Sequence, residues 1–293
     1  WGGWFVAVLT TYGWMEMNAR LILLRKRSRM ESTTFFASLT AVPLLHSVRW
    51  ESLLPLALLV MYAFLFASYQ KRRPEGYLFH AFFLLGIGSL VLPQLLWLLP
   101  LLLFCSLIQL RSLTLGSLSA TLMGLLLSIG ILLLKSLWFW DFTSFLTTMK
   151  TMGDQLIAVD FTYWKDVYCA TPATLPAEEW QFLTSAGCVV VPSIIAIIHQ
   201  VQTSYLDKIR VRMFYYIIGM VHCALFLLLI IFPEERWTWL LLLIANSAPL
   251  IAHYLTLTRG WFTTTIFWLS LTGLILLTFF NYQTEWILSL IFS

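Results

Sequence analysis

Long apolar runs recur from one end of this chain to the other, and water cannot be the solvent for most of them. A bilayer core takes about 20 mostly apolar residues in helical form. Ten such stretches can be marked: 1–24, 32–48, 53–70, 77–93, 95–110, 116–137, 182–200, 213–232, 238–256 and 260–280. Three of them (32–48, 77–93 and 95–110) are short, and Pro93-Gln94 makes a tight hairpin of the last two. Charged residues are 11% of the 293 and hydrophobic residues 60%. An ordinary soluble domain is about a quarter charged. A soluble enzyme, a disordered chain and a nucleic-acid binder are therefore excluded. The fold class expected is all-α: a polytopic transmembrane bundle of about ten spans. Its expected parts are an N-terminal bundle over 1–137, an outside loop over 138–181 and a C-terminal bundle over 182–293, together one membrane domain.

The placement of charge orients the bundle. Positive residues collect on cytoplasmic loops. Alternating loops put Arg25, Lys26, Arg27, Arg29, Lys71, Arg72, Arg73, Arg111, Lys208, Arg210, Arg212 and Arg259 on one side, against only Glu31, Glu75 and Asp207. The other side holds Arg49, Lys135, Lys150, Lys165 and Arg236, against ten acids. The first side reads as cytoplasmic, which leaves both chain ends outside. The chain begins at Trp1 without a positively charged leader; a further span upstream would return the N-terminus to the cytoplasm.

Residues 138–181 form the one long connection, and they are not patterned like a disordered loop. Phe142, Phe145, Leu146, Met149, Met152, Leu156 and Ile157 recur at helical spacing, with Thr143, Thr147, Lys150, Thr151, Asp154 and Gln155 on the other face. That pattern predicts an amphipathic helix over 142–157 lying in the outer interface. Asp141 is placed to cap it. Trp138, Trp140, Tyr163, Trp164, Tyr168 and Trp180 supply interfacial aromatics.

The candidate site residues are few. Asp141 and Asp160 in the outside loop, with His46 and Arg49 near the 49–51 turn, form one set. A cation beside carboxylates at a membrane edge can hold a phosphate and supply a base. The plain alternative is helix capping and surface pairing. Glu16 and Arg20 are four apart with the acid first, the favourable order for a helical pair, and structural pairing is the favoured reading. His222 and Asn246 fall near the middle of adjacent antiparallel spans, where a hydrogen bond between helices or a polar ligand site is expected. Four Cys without a CxxC pair, and no HExxH, give no support to a disulfide framework or a metal site. No cofactor is expected.

Three stretches carry a resemblance. They are Tyr69-Gln-Lys-Arg-Arg-Pro-Glu-Gly-Tyr-Leu-Phe-His-Ala-Phe with Leu84-Leu-Gly-Ile-Gly-Ser-Leu, then Pro93-Gln-Leu-Leu-Trp with Gln109-Leu-Arg-Ser-Leu-Thr, and Ala248-Pro-Leu-Ile-Ala-His-Tyr with Arg259-Gly-Trp-Phe. Over roughly 50–280 the chain resembles an uncharacterised family of multi-spanning bacterial cytoplasmic-membrane proteins. The resemblance implies an inner-membrane, cell-envelope setting and carries no catalytic residues. A more distant similarity, at the level of fold, is to polysaccharide polymerases. Three functions follow as expectations. The first is a non-catalytic subunit or scaffold of an envelope assembly, with membrane lipids and other membrane proteins as partners. The second is an outward-facing transferase or polymerase acting on a lipid-linked glycan. The third is a small-molecule or lipid transporter.

Overall fold

The computed structural model describes residues 2–21, 23–24, 28–42, 49–159, 163–164, 176–258 and 260–291. They hold eleven α-helices and, among the described residues, no strand. In chain order the helices are α1 Gly2–Leu21, α2 Met30–Thr40, α3 Leu54–Ala67, α4 Glu75–Val91, α5 Leu98–Ile108, α6 Leu115–Trp138, α7 Phe142–Ile157, α8 Ala177–Thr203, α9 Ile209–Ile231, α10 Arg236–Leu257 and α11 Trp261–Ile291. The all-α expectation stands, and the protein has the helices of a multi-pass membrane protein.

The number of spans is corrected. Six helices among the described residues, not ten, are long and apolar enough to cross a membrane: Trp50–Ala67, Leu115–Trp138, Glu178–Leu206, Ile209–Ile231, Pro233–Leu257 and Trp261–Asn281. Physical reasons separate the other four stretches. α1 has the length but carries Thr10, Thr11, Glu16, Asn18 and Arg20. α2 has 11 residues, which at 1.5 Å each is about half the thickness of a bilayer core. Residues 43–48, which the span at 32–48 needed, lie outside the described residues. α4 has 17 residues and α5 only 11, because Pro93 starts a 3-10 turn, Pro93–Trp97, between them.

The chain forms two compact units, Trp1–Pro55 with Asp160–Ser293, and Leu56–Val159. In the smaller unit α4 and α6 pack closely, and small residues permit it. A Cβ on Gly124 would stand 2.5 Å from the Phe79 carbonyl oxygen. The start of α6 is fixed by reciprocal bonds between Thr114 and Ser117. Its other face, with Met123, Leu126 and Leu134, is exposed, as lipid-facing residues are. α7 spans the predicted residues. The Ser144 N–H donates to Asp141 Oδ1 at 3.0 Å, the expected cap. Gln94 Nε2 and Trp97 Nε1 donate to the carbonyls of Gln155 and Leu156. No residue of α7 is buried, so its apolar face is left for another apolar phase.

In the larger unit α10 is the hub. Every residue from Thr238 to Tyr254 is buried, as expected of a helix apolar on all sides. α2, α8 and α9 pack around it. Thr34 on α2 donates to the Ala248 carbonyl at 3.2 Å. Asn18 closes the α1–α2 turn, accepting from the Leu24 N–H at 3.1 Å and donating to the Ser28 carbonyl at 3.0 Å. These two anchors bring the start of α2, and with it Glu31, into the interior.

Candidate functional site

The polar groups of the larger unit gather at two ends. One end carries the acids at the start of α8. Arg236 Nη2 lies 2.9 Å from Glu179 Oε1 and 3.1 Å from Glu178 Oε1. Its guanidinium sits over the Tyr163 ring at 5.3 Å and the Phe182 ring at 5.7 Å. Tyr163 donates its hydroxyl to Glu179, and Trp237 Nε1 donates to Glu178 at 3.3 Å. Burial, and then the bond to Glu179, push the Tyr163 phenol above its ordinary range. Arg49 and Glu51 lie within electrostatic range of Glu235 in the same unit. These groups pair with one another, while Arg236 Nε is buried without a partner among the described residues.

Asp141 belongs to the smaller unit and is fully exposed. Its carboxylate accepts from the Thr143 hydroxyl at 2.6 Å and from the Ser144 N–H. Those bonds, the hydroxyl first, hold it below the usual carboxylate range. A carboxylate so employed is a helix cap and a poor base. His46 and Asp160 lie outside the described residues. Glu16 and Arg20 form the expected i,i+4 pair at 2.6 Å, with side chains 40% and 77% exposed, a surface contact of small energetic weight.

The two mid-span residues do not bond to each other, but Asn246 makes a hydrogen bond between the two adjacent helices. His222 Nε2 lies 2.8 Å from Ser193 Oγ on α8, and Asn246 Nδ2 donates to the Ile218 carbonyl at 2.9 Å. Both residues are buried. The rotation of each helix about its axis gives them other partners.

The opposite end of the larger unit holds what the sequence did not single out. Asp207, in the turn between α8 and α9, is buried, and its Oδ2 lies 3.1 Å from His253 Nε2 on α10. Both side chains are at most 1% exposed. The Tyr215 ring of α9 stands 4.4 Å from the His253 ring. Tyr215 lies within electrostatic range of both Asp207 and Glu31. Glu31 is 1% exposed, and neither carboxylate oxygen has a hydrogen-bond partner among the described residues. The Tyr215 hydroxyl and His253 Nδ1 are likewise buried without one. Burial pushes the Glu31 carboxyl well above the usual range. Asp207 of the 204–208 turn, His253 of α10 and Tyr215 of α9 thus form one buried cluster, with Glu31 of α2 within electrostatic range of Tyr215. The signal was present in the sequence: three acids lie among twelve basic residues on that side, and two of them turn inward.

Among the described residues, no group of three or more His, Cys, Asp or Glu side chains is placed to hold a metal ion. Comparisons with protein-family models, with curated proteins and with solved structures find no match.

Proposed function

We propose that this chain is a multi-pass protein of a bacterial cytoplasmic membrane, a transporter in which Glu31, Asp207, His253 and Tyr215 form the working centre. One observation carries the reading: the buried Glu31 carboxyl with both oxygens unpartnered among the described residues. Leaving a buried polar group unsatisfied costs about 1–3 kcal/mol, and an apolar residue at position 31 would avoid that. A scaffold has no use for such a group. Ionisable groups placed in membrane-protein interiors mark ion and substrate pathways.

The chemistry follows from charge. Neutral, Glu31 is compatible with its packed surroundings. Ionised, it needs a cation or water beside it. One carboxyl that takes either a proton or a cationic group performs the exchange that a proton-coupled carrier requires. The Asp207–His253 pair lies beside Tyr215. Small organic amines are the substrate class that fits.

Sidedness rests on the basic residues. Removing the stretches at 1–24 and 32–48, and those at 77–93 and 95–110, takes away crossings in consecutive pairs. The sides assigned to 201–212 and 257–259 are then unchanged, which puts Asp207 at the cytoplasmic end of the unit and makes the 138–181 segment periplasmic. The uncovered apolar face of α7 supports a helix lying on the outer interface.

Proteoliposomes loaded with a pH-sensitive dye test the function. Addition of a panel of organic amines should evoke proton release with at least one member, and Glu31→Gln or Asp207→Asn at equal abundance should abolish it. Silence of the wild type with every amine, or an equal response from Glu31→Gln, overturns the proposal.

A further inference from the structure

We infer that the inward face of α8 lines a hydrated polar file through the larger unit, along which protons pass between the Arg236 end and the buried Asp207–His253 pair. The proton role rests on the transport reading; the hydration does not. α8 is apolar outside and polar inside. Its side chains Val191, Ile194, Ile198 and Val201 are exposed, whereas Gln181, Ser185, Ser193 and Gln200 are buried, as is Ser204 in the turn that follows. Steps of four residues, or of seven and eight, keep these positions on one face of a helix. From 181 to 204 that face runs about 34 Å, enough to cross a bilayer core of about 30 Å.

Small residues on such a face serve helix packing, but packing does not account for the polar atoms left over. Ser185 Oγ, Gln200 Nε2, His222 Nδ1 and the Tyr215 hydroxyl are buried without a hydrogen-bond partner among the described residues. The register of α8 and α9 spreads them along the file. His222 Nε2 lies 2.8 Å from Ser193 Oγ, whose hydroxyl donates to the Val190 carbonyl at 2.8 Å. The histidine nitrogen is then the donor, which leaves Nδ1 as a bare acceptor. Tyr215 is seven residues before His222, and Gln200 seven beyond Ser193, so on antiparallel helices the two reach one level. A turn nearer Asp207, the Tyr216 hydroxyl donates to Ser204 Oγ at 3.0 Å. Buried polar groups in need of partners are where internal water binds.

Two levels of the face carry no polar side chain of their own. At Val189 the backbone contributes instead: Pro192 inside α8 has no N–H, so the Cys188 carbonyl lacks its helical donor. Asn246 of α10 stands at the same level, by the register that pairs Arg236 with Glu178 and the Tyr254 ring with His199. At the other level the side chain is only the methyl of Ala196. The mouth at the Arg236 end meets water, since the Glu178 side chain is 60% exposed, and Gln181 lies one turn inside it. Along such a file a proton is handed from donor to acceptor. His222 takes it from water on Nδ1 and releases the Nε2 proton to Ser193, which gives up its own to the next water.

X-ray radiolysis of the full chain in vesicles, after brief mixing into water enriched in heavy oxygen, tests the file. Hydroxyl radicals form where water is, and mass spectrometry reads the heavy oxygen on each side chain. Scaled to intrinsic reactivity, His222 and Tyr215 should label several-fold faster than Tyr62 of the smaller unit, which is as fully buried as Tyr215. Ser193→Val should cut the His222 rate several-fold, and Val191→Ala, on the exposed face, should leave it unchanged. Equal rates at His222 and Tyr62, or a His222 rate indifferent to Ser193→Val, overturn the inference. The comparison within the wild-type protein decides the matter even where Ser193→Val fails to fold. In the dye assay with amines, Ser193→Val should slow proton release several-fold; unchanged release overturns the proton role. Labelling needs no amine. A labelled file with every amine silent therefore overturns the transport reading and leaves the hydration standing, whereas a dry file with active amines overturns this inference alone.

Discussion

Replacing Glu31 by Gln should make the protein more stable at alkaline pH and leave it unchanged in acid. Glu31 is 1% exposed, and burial raises its native pKa well above the ordinary carboxylate value. The unfolded chain returns it to about 4.3. Between that value and the raised native one, the folded state binds the proton that the unfolded state has lost. Stability then falls as pH rises, by about 1.4 kcal/mol per pH unit for a single group. Below the unfolded value the contribution is level. Tyr215 is the titratable group within electrostatic range of it, and the variant leaves it in place. Glutamine keeps the size and removes the titration, so the difference between the two proteins isolates Glu31. The assay is thermal unfolding in one detergent, at a fixed scan rate, from pH 5 to pH 8. A domain-sized unit shifts its midpoint by about 2–4 °C per kcal/mol, so wild type should lose several degrees across this window relative to Glu31→Gln. A variant less stable than wild type at pH 8, with an unchanged slope, would mean that Glu31 is ionised and paired, and would refute the reasoning.

Gly124→Ala should destabilise the smaller unit by about 1–3 kcal/mol, the usual cost of overpacking, because the new Cβ meets backbone, 2.5 Å from the Phe79 oxygen. Gly130→Ala, with nothing within 4 Å, is the control and should be neutral or stabilising in the same thermal assay. Met149→Asp should release α7 from the bilayer surface, read as increased proteolysis within 142–157 in vesicles while membrane insertion is retained. Cysteines placed at 72 and 210 should resist a membrane-impermeant reagent in intact cells and react after the membrane is opened; reaction in intact cells would reverse the orientation.

Much of the fold is legible because its signals are local. The runs at 116–137, 182–200, 213–232, 238–256 and 260–280 are spans on length and hydropathy alone. The cap and helix at 141–157 follow from the spacing of Phe142, Phe145, Leu146 and Met149 after an aspartate. The excess of four spans arose from reading apolar stretches without their exact limits. The 3-10 turn at Pro93 and the polar residues of α1 shorten or weaken helices in ways a window of 20 residues averages away. The site was less legible because its members are far apart in sequence. Glu31, Asp207, Tyr215 and His253 meet only after α2 packs on α10, and each looks like a residue of a loop or a span end. Charge counting sees Glu31 and Asp207 as surface groups, since it carries no information on which way a turn folds. His222 and Asn246 show the complementary limit: their depth is readable, whereas the rotation that points them at Ser193 and Ile218 is not.

The proton on Glu31 is the point on which the functional account depends, and infrared spectroscopy observes it directly. In a difference spectrum of wild type minus Glu31→Gln at neutral pH, the account predicts the carbonyl stretch of a protonated carboxylic acid, shifting on transfer to heavy water. A difference spectrum showing the paired carboxylate stretches instead would mean that Glu31 is ionised at neutral pH, and would contradict it.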